Sequence, residues 1–215
     1  MILAIGNIKG GVGKTTLAVN IAIARSLTGK DVLLVDGDQQ QTAMTFTDLR
    51  VEKQRAPSYT AVGLGGAALR TQVRHLQSKY DEIIIDVGGR DTGSLRAALT
   101  VAQTLLIPLQ PRSFDLWAMD QMAELLKEAR EINDVNALAV LNNADAQGQD
   151  NEEAIKAAEE IEGMVMLKTM IGRRKAFPNA AAQGLSVLEH TPKDPKATQE
   201  FTDLLDIIFN QSIKE

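Results

Sequence analysis

The chain reads as an α/β protein with a doubly wound, mostly parallel sheet flanked by helices, and three observations carry that expectation. Apolar runs of strand length alternate with stretches of helical periodicity, the order that a parallel sheet with crossover helices requires. Several of the runs end in Asp, Asn or Gly, and in open parallel sheets ligands sit beyond the carboxyl ends of the strands. A glycine-rich turn, Lys9-Gly10-Gly11-Val12-Gly13-Lys14-Thr15-Thr16, joins the first apolar run to the first helical one.

Taken in order, Ile2–Ile5 is the first strand and Thr15 to Leu27 the first helix, with Leu17, Ile21, Ala24 and Leu27 at helical spacing and Gly29 as its stop. Val32–Val35 is a strand ending on Asp36-Gly37-Asp38. From Gln39 to Gly66 only a short helix near Thr42–Arg50 is readable, followed by turn-rich sequence. Leu69 to Lys79 is helical and leads into a strand, Ile83–Ile85, that ends on Asp86. Ser94–Ala102 (helix), Thr104–Pro108 (strand) and Phe114 to Ile132 (helix, with Leu116, Met119, Met122 and Leu126 on one side) follow. Leu138–Leu141 is a strand ending in Asn142-Asn143, Glu152–Ile161 a helix, Val165–Thr169 a strand and Arg174–Gln183 a helix. Gln199–Phe209 closes the chain with Phe201, Leu204, Leu205 and Ile208 as its apolar face. No repeat, low-complexity tract or linker interrupts the pattern, so residues 1–215 read as one domain.

Composition narrows the function classes. Hydrophobic residues make up 44% of the 215 and aromatics only 4%, so Ile, Leu, Val, Ala and Met must build the core. The absence of cysteine excludes disulfides, thiolate zinc sites and iron–sulfur ligation. No apolar run approaches the roughly 18–20 residues needed to span a bilayer, and the N-terminus reads as a strand and not as a signal peptide. A net charge of −5 argues against whole-surface attraction to nucleic acid or anionic lipid, leaving only a local patch. A cytoplasmic location is expected.

The glycine-rich turn carries the chemistry. Glycines at 10, 11 and 13 allow the backbone to turn its N–H groups inward around a phosphate, and the helix that follows adds the positive end of its dipole. Lys14 can then reach the β- and γ-phosphates, and the Thr15 hydroxyl can ligate Mg2+. These residues make the turn a phosphate loop for ATP. The usual pattern, G-x-x-x-x-G-K-[ST], is intact at its end, but Ile8 stands at its first glycine position. Asp86, at the end of three isoleucines, is placed as the acid that holds magnesium through water. Asp36 and Asp38, two positions apart at another strand end, suit one acid near the metal and one that polarises a water.

The second lysine ahead of the glycines, Lys9, narrows the family. The run from Lys9 to Thr16 resembles the deviant Walker A motif of ParA/MinD-type ATPases, whose fold is the P-loop NTPase fold. Val35-Asp36-Gly37-Asp38-Gln39-Gln40 is similar to the family's D-x-D-P-Q segment with Gln39 in place of proline, and Ile84-Ile85-Asp86 to its Walker B strand. Leu141-Asn142 resembles the strand whose Asn contacts adenine. Arg173, Ala181, Gly184, Val187 and Glu189 sit in a segment like the C-terminal R…A…G-x-x-V-x-E pattern. The resemblance implies a homodimer in the ATP state, in which Lys9 reaches the partner's ATP, a role for Lys9, Lys14 and Asp38 in hydrolysis, and nucleotide binding by Gly10, Gly11, Val12, Gly13, Lys14, Thr15, Thr16 and Asn142. Thr15, Asp36 and Asp86 would hold or support Mg2+.

Among relatives, those with an iron–sulfur cluster need cysteines that are missing here, and the acidic face of residues 200–209 is unlike a basic membrane helix. The phosphate loop begins at residue 9, so no DNA-binding domain is expected before it. The resemblance is greatest to small ParA-like proteins of plasmid or chromosome partition, which implies non-specific binding to duplex DNA, association with the nucleoid when ATP is bound, and a centromere-binding, ParB-like partner. Positioning of a protein cargo, an ATP-dependent ligase of the dethiobiotin synthetase kind, and a DNA clamp with negligible turnover remain the alternatives.

Charge is segregated along the last third. Lys168, Arg173, Arg174, Lys175, Lys193 and Lys196 face only Glu189 and Asp194 between Met164 and Lys196, whereas seven acids lie between Asp145 and Glu162. Lys168, Arg173, Arg174 and Lys175 are the candidate DNA contacts, to phosphates and not bases; a solvated helix face is the competing reading. His75 and His190 stand alone and read as structural or exposed, and Trp117 reads as packing against the core or a dimer partner.

Overall fold

A computed structural model describes residues 1–55, 59–89, 92–111, 116–146 and 149–210. Seven strands form one sheet: β1 (Ile2–Ile5), β2 (Val32–Asp36), β3 (Thr60–Gly63), β4 (Glu82–Asp86), β5 (Thr104–Leu109), β6 (Asn136–Ala144) and β7 (Val165–Gly172). Their order is β3-β2-β4-β1-β5-β6-β7, and every pairing is parallel. The chain winds outward from β1 to one edge, returns through β4, and then builds the other half from β5. That reversal of direction places a crevice beyond the carboxyl end of β1.

Among the described residues, six helices connect successive strands, α1 (Lys14–Leu27), α2 (Thr42–Glu52), α3 (Gly66–Leu76), α4 (Thr92–Leu99), α5 (Leu116–Arg130) and α6 (Gln149–Glu159), and two follow β7, α7 (Ala176–Ala181) and α8 (Pro195–Asn210). The sheet's two faces bury separate cores because successive side chains of a strand point to opposite sides. Ile2, Ala4, Ile83, Ile85, Leu105 and Ile107 point to the face covered by α3, α4, α5 and α6. Leu3, Ile5, Leu34, Ile84 and Leu106 point to the other, where Leu17, Ile21, Phe201, Leu204 and Ile208 of α1 and α8 meet them. With both faces covered, strands read as unbroken apolar runs. Phe177 packs edge-on against Phe201, 6.2 Å between ring centroids.

Three expectations need correction. The turn-rich stretch after α2 contains β3, a four-residue edge strand whose half-exposed Thr-Ala-Val-Gly shows neither alternation nor a continuous apolar run. The terminal helix starts at Pro195 and not Gln199, because Asp194 accepts from the amides of Lys196 and Ala197 and Pro195 suits a first helical position. The helix expected over Arg174–Gln183 is only Ala176–Ala181, with Arg174 and Lys175 ahead of it. Trp117 is 80% exposed, which excludes the core and leaves it available to a dimer partner. His75 is exposed and His190 buried. Phe114, the expected start of α5, lies outside the described residues.

Candidate functional site

The crevice is built on the ends of three neighbouring strands. Ile5 of β1 pairs with Asp86 of β4, and Asp86 pairs with Asp36 of β2, so both acids stand beside the loop that leaves β1. Asn7 starts that loop: its Oδ1 accepts the Lys9 amide and its Nδ2 donates to Pro108 O on β5, each at 2.9 Å. Gly11 and Gly13 have φ of +76° and +93°, conformations that a side chain resists. Gly10 has neither a positive φ nor a neighbour within 4 Å of an added Cβ, so the protein alone does not require glycine there. Gly13 is the left-handed N-cap of α1 and provides no side-chain cap. The first amides of α1 are thus left for an anion.

Lys14 is 7% exposed, and its Nζ donates to Lys9 O at 2.6 Å across the loop. Burial lowers its pKa, and the nearby charges of Asp86 and Asp38 act in the opposite direction. Thr15 and Thr16 open the helix and remain half-buried; Thr16 O accepts from Asn20 Nδ2.

The three acids differ. Asp86 is buried, and neither of its carboxylate oxygens has a hydrogen-bond partner of good geometry. Burial lifts its pKa to about 7; the nearby Thr15 hydroxyl opposes the rise and Asp36 adds to it. Asp36 is equally buried but engaged: Oδ1 accepts the Asp38 amide and Oδ2 the Met44 amide, both at 3.0 Å. Its pKa is raised by burial despite those bonds. It therefore shapes the turn into α2. Asp38 is half-exposed, and its Oδ1 accepts the Gln40 amide.

A buried carboxylate with no donor is expensive unless a cation joins it. A loop of inward amides, a buried lysine, the Thr15 hydroxyl and an orphaned Asp86 together suit the phosphates of ATP with Mg2+, which keeps water and phosphate oxygens among its ligands. The residues fit that pair.

Sequence reasoning missed Gly88 and Gly89. An added Cβ at Gly89 would lie 2.8 Å from the carbonyl of Lys9, and one at Gly88 2.7–2.9 Å from the Asp38 carboxyl group. The Gly-Gly pair after the Ile83–Asp86 run was the available signal. Asn142 falls inside β6, 5% exposed, with Nδ2 donating to Val12 O at 2.8 Å.

The basic candidates lie apart from this crevice. Lys168 is on β7, and Arg173 and Lys175 lead into α7; all three are exposed. Arg174 is committed to Glu200, which also accepts the Gly172 amide at 3.0 Å. Glu200 lies outside the segment whose charges were counted, and α8 brings it across.

Fold and loop together define a nucleotide-binding domain with a phosphate loop. The family model described as the CobQ/CobB/MinD/ParA nucleotide binding domain matches residues 3–187, and the chain belongs to that family. Two relatives named maintenance of carboxysome distribution protein A are similar along most of their length. The protein from Halothiobacillus neapolitanus is 29% identical over 94% of both chains, and that from Gloeobacter kilaueensis 30% identical over 92% of this chain and 88% of its own. The chromosome-partitioning ATPase Soj of Thermus thermophilus is 28% identical over 91% and 90%. Among solved structures, the ATP complex of a Cyanothece McdA variant superposes with a TM-score of 0.77 at 18% identity, covering all of this chain and 97% of that one. Cobyrinic acid a,c-diamide synthase of Mycobacterium smegmatis, with an ATP analog and magnesium, gives 0.76 at 20% identity over 99% and 95%. No described helix is long and apolar enough to cross a membrane.

Proposed function

We propose that the chain is an Mg2+-dependent ATPase that works as a positioning switch, dimerising on ATP, holding non-specific duplex DNA in that state, and letting go after hydrolysis. The observation that supports this most is a phosphate loop with two lysines of different standing: Lys14 sealed beneath it and Lys9 half-buried on it. Lys14 suffices for a nucleotide bound within one chain, so a second loop lysine favours a site completed by a partner copy. Asp38 orients the attacking water, and Asp86 supports the metal. The exposed Lys168, Arg173 and Lys175 supply DNA-phosphate contacts; Arg174, neutralised by Glu200, contributes little.

The cargo is a protein assembly in this reading, because the carboxysome-distribution relatives match along nearly the whole of both chains. Partition of a chromosome or plasmid with a ParB-like partner is the second reading, favoured by the similarity to Soj. Light scattering with Mg2+·ATP, Mg2+·ADP and no nucleotide, followed by duplex DNA binding over a salt series, tests the switch. An ATP-dependent dimer that Lys9→Ala abolishes, and DNA affinity that needs ATP and falls steeply with salt, are expected. A monomer with ATP, or an unchanged ATP dimer in Lys9→Ala, would defeat it.

A further inference from the structure

A phosphate loop can turn its N–H groups inward only if some of its carbonyls turn away, and those carbonyls need donors of their own. Three have one. Lys9 O accepts from Lys14 Nζ, Gly11 O from Gln110 Nε2 at 2.9 Å, and Val12 O from Asn142 Nδ2 at 2.8 Å. Lys14 must leave Lys9 O to meet a phosphate; the two amides have no such duty. They come from adjacent strands, Gln110 just after β5 and Asn142 near the end of β6. An added Cβ at Gly13 would lie 2.2 Å from Asn142 Nδ2, so the amide is seated directly against the loop. The β6–β7 register shifts immediately beyond it, and Asn143 adopts a φ of +55°.

We propose that Asn142 is a positioning residue that clamps the phosphate loop through Val12 O, with Gln110 as a weaker second clamp, so that the loop is set for phosphates before a nucleotide arrives. The proposal rests on the nucleotide-binding reading and is independent of DNA and cargo. It differs from the adenine contact that resemblance assigns to Asn142, because a clamp acts on every phosphate ligand, with or without a base. The tie also orients the amide: Val12 O can only accept, so Nδ2 must face it.

Calorimetric titration of Mg2+·tripolyphosphate, which has no base, and of Mg2+·ATP into wild type, Asn142→Ala and Gln110→Ala tests this. Asn142→Ala should weaken both ligands by the same factor, about 3- to 10-fold, the worth of one hydrogen bond. Gln110→Ala should weaken both by about 2-fold, as expected of a more exposed bond. Amide hydrogen exchange across Gly11–Thr15 of the nucleotide-free variants should quicken with no matching loss of thermal stability, which separates a clamp from general loosening. Weakened ATP with undiminished tripolyphosphate in Asn142→Ala would overturn the clamp in favour of a base contact, and unchanged affinity for both would overturn it outright. If Asn142→Ala does not fold, Gln110→Ala decides alone, unchanged tripolyphosphate affinity being fatal. Failure of the wild type to bind ATP would strike the nucleotide reading instead.

Discussion

Charge is buried at both ends of α2, and the two ends treat it in opposite ways. Before its N-terminal end, and among the described residues, Asp86 has no hydrogen-bond partner of good geometry and Lys14 donates to a loop carbonyl. In its last turn, Arg50, 3% exposed, gives one terminal nitrogen to Gly184 O and Glu189 Oε2 and the other to Glu189 Oε1, while Glu189 Oε2 also takes the Ser186 amide. Burial pushes the Glu189 carboxyl up, but Arg50 and the Ser186 amide outweigh it and hold the group below its usual range. One end pairs its charges within the fold, although Arg50 Nε has no partner among the described residues; the other awaits a ligand. Satisfied buried charge holds elements together, whereas unsatisfied buried charge is tolerated where a ligand supplies the missing partner.

Arg50→Ala should break the comparison most. It strands Glu189 and the Gly184 carbonyl, and a loss of about 3–5 kcal/mol is expected for a buried pair reduced to one member. Urea denaturation measures it. Mg2+·ATP affinity of the folded fraction should stay within a few-fold of wild type; a collapse of affinity at unchanged stability would reverse the roles assigned to the two ends.

The pH dependence should have opposite sign at the two ends. An unfolded aspartate titrates near about 4, and the folded Asp86 near about 7, so its stabilising contribution is complete below about pH 4 and is lost as pH rises to about 7. The penalty at higher pH is at most about 4 kcal/mol. Glu189, held low, contributes at neutral pH and loses that contribution as pH falls through the carboxylate range. Thermal denaturation of the nucleotide-free protein between pH 5 and pH 8, as chosen endpoints on the order of those values, should therefore show falling stability that Asp86→Asn removes and saturating Mg2+·ATP offsets. An unaltered slope in Asp86→Asn would assign the trend to other groups.

Gly184→Ala sharpens the contrast with the smallest expected effect. Gly184 has a φ of +66°, and an added Cβ would lie 2.8 Å from Arg50 Cα. Left-handed backbone alone costs about 1–2 kcal/mol for an alanine, and nucleotide affinity should not change. A chemical denaturation curve with an unmoved midpoint would show that the clasp has room to give.

Local regularities made much of this protein legible. The loop from Lys9 to Thr16, the helix behind it, and the strands ending on Asp36 and Asp86 could be read because each depends on neighbours in the chain: glycine's freedom, a 3.6-residue apolar period, an apolar run stopped by an acid. Resemblance added Asn142 and the segment from Arg173 to Glu189 but not what they touch. What stayed hidden were pairings between distant residues. Glu200 reaches Arg174 from 26 positions away and Glu189 reaches Arg50 from 139, and charge counted within a window cannot see either.

The amino-acid sequence by itself determined the order of strands and helices and the chemistry of the phosphate loop, since both follow from local conformational preference and spacing. Only the tertiary structure decided that β3 adds an edge strand, that Trp117 faces solvent while His190 does not, that Gly88 and Gly89 leave room for Asp38 and the loop, and that Asn142 holds Val12. Each of these is settled by which surfaces meet when seven strands align, and such contacts carry no periodic trace along the chain.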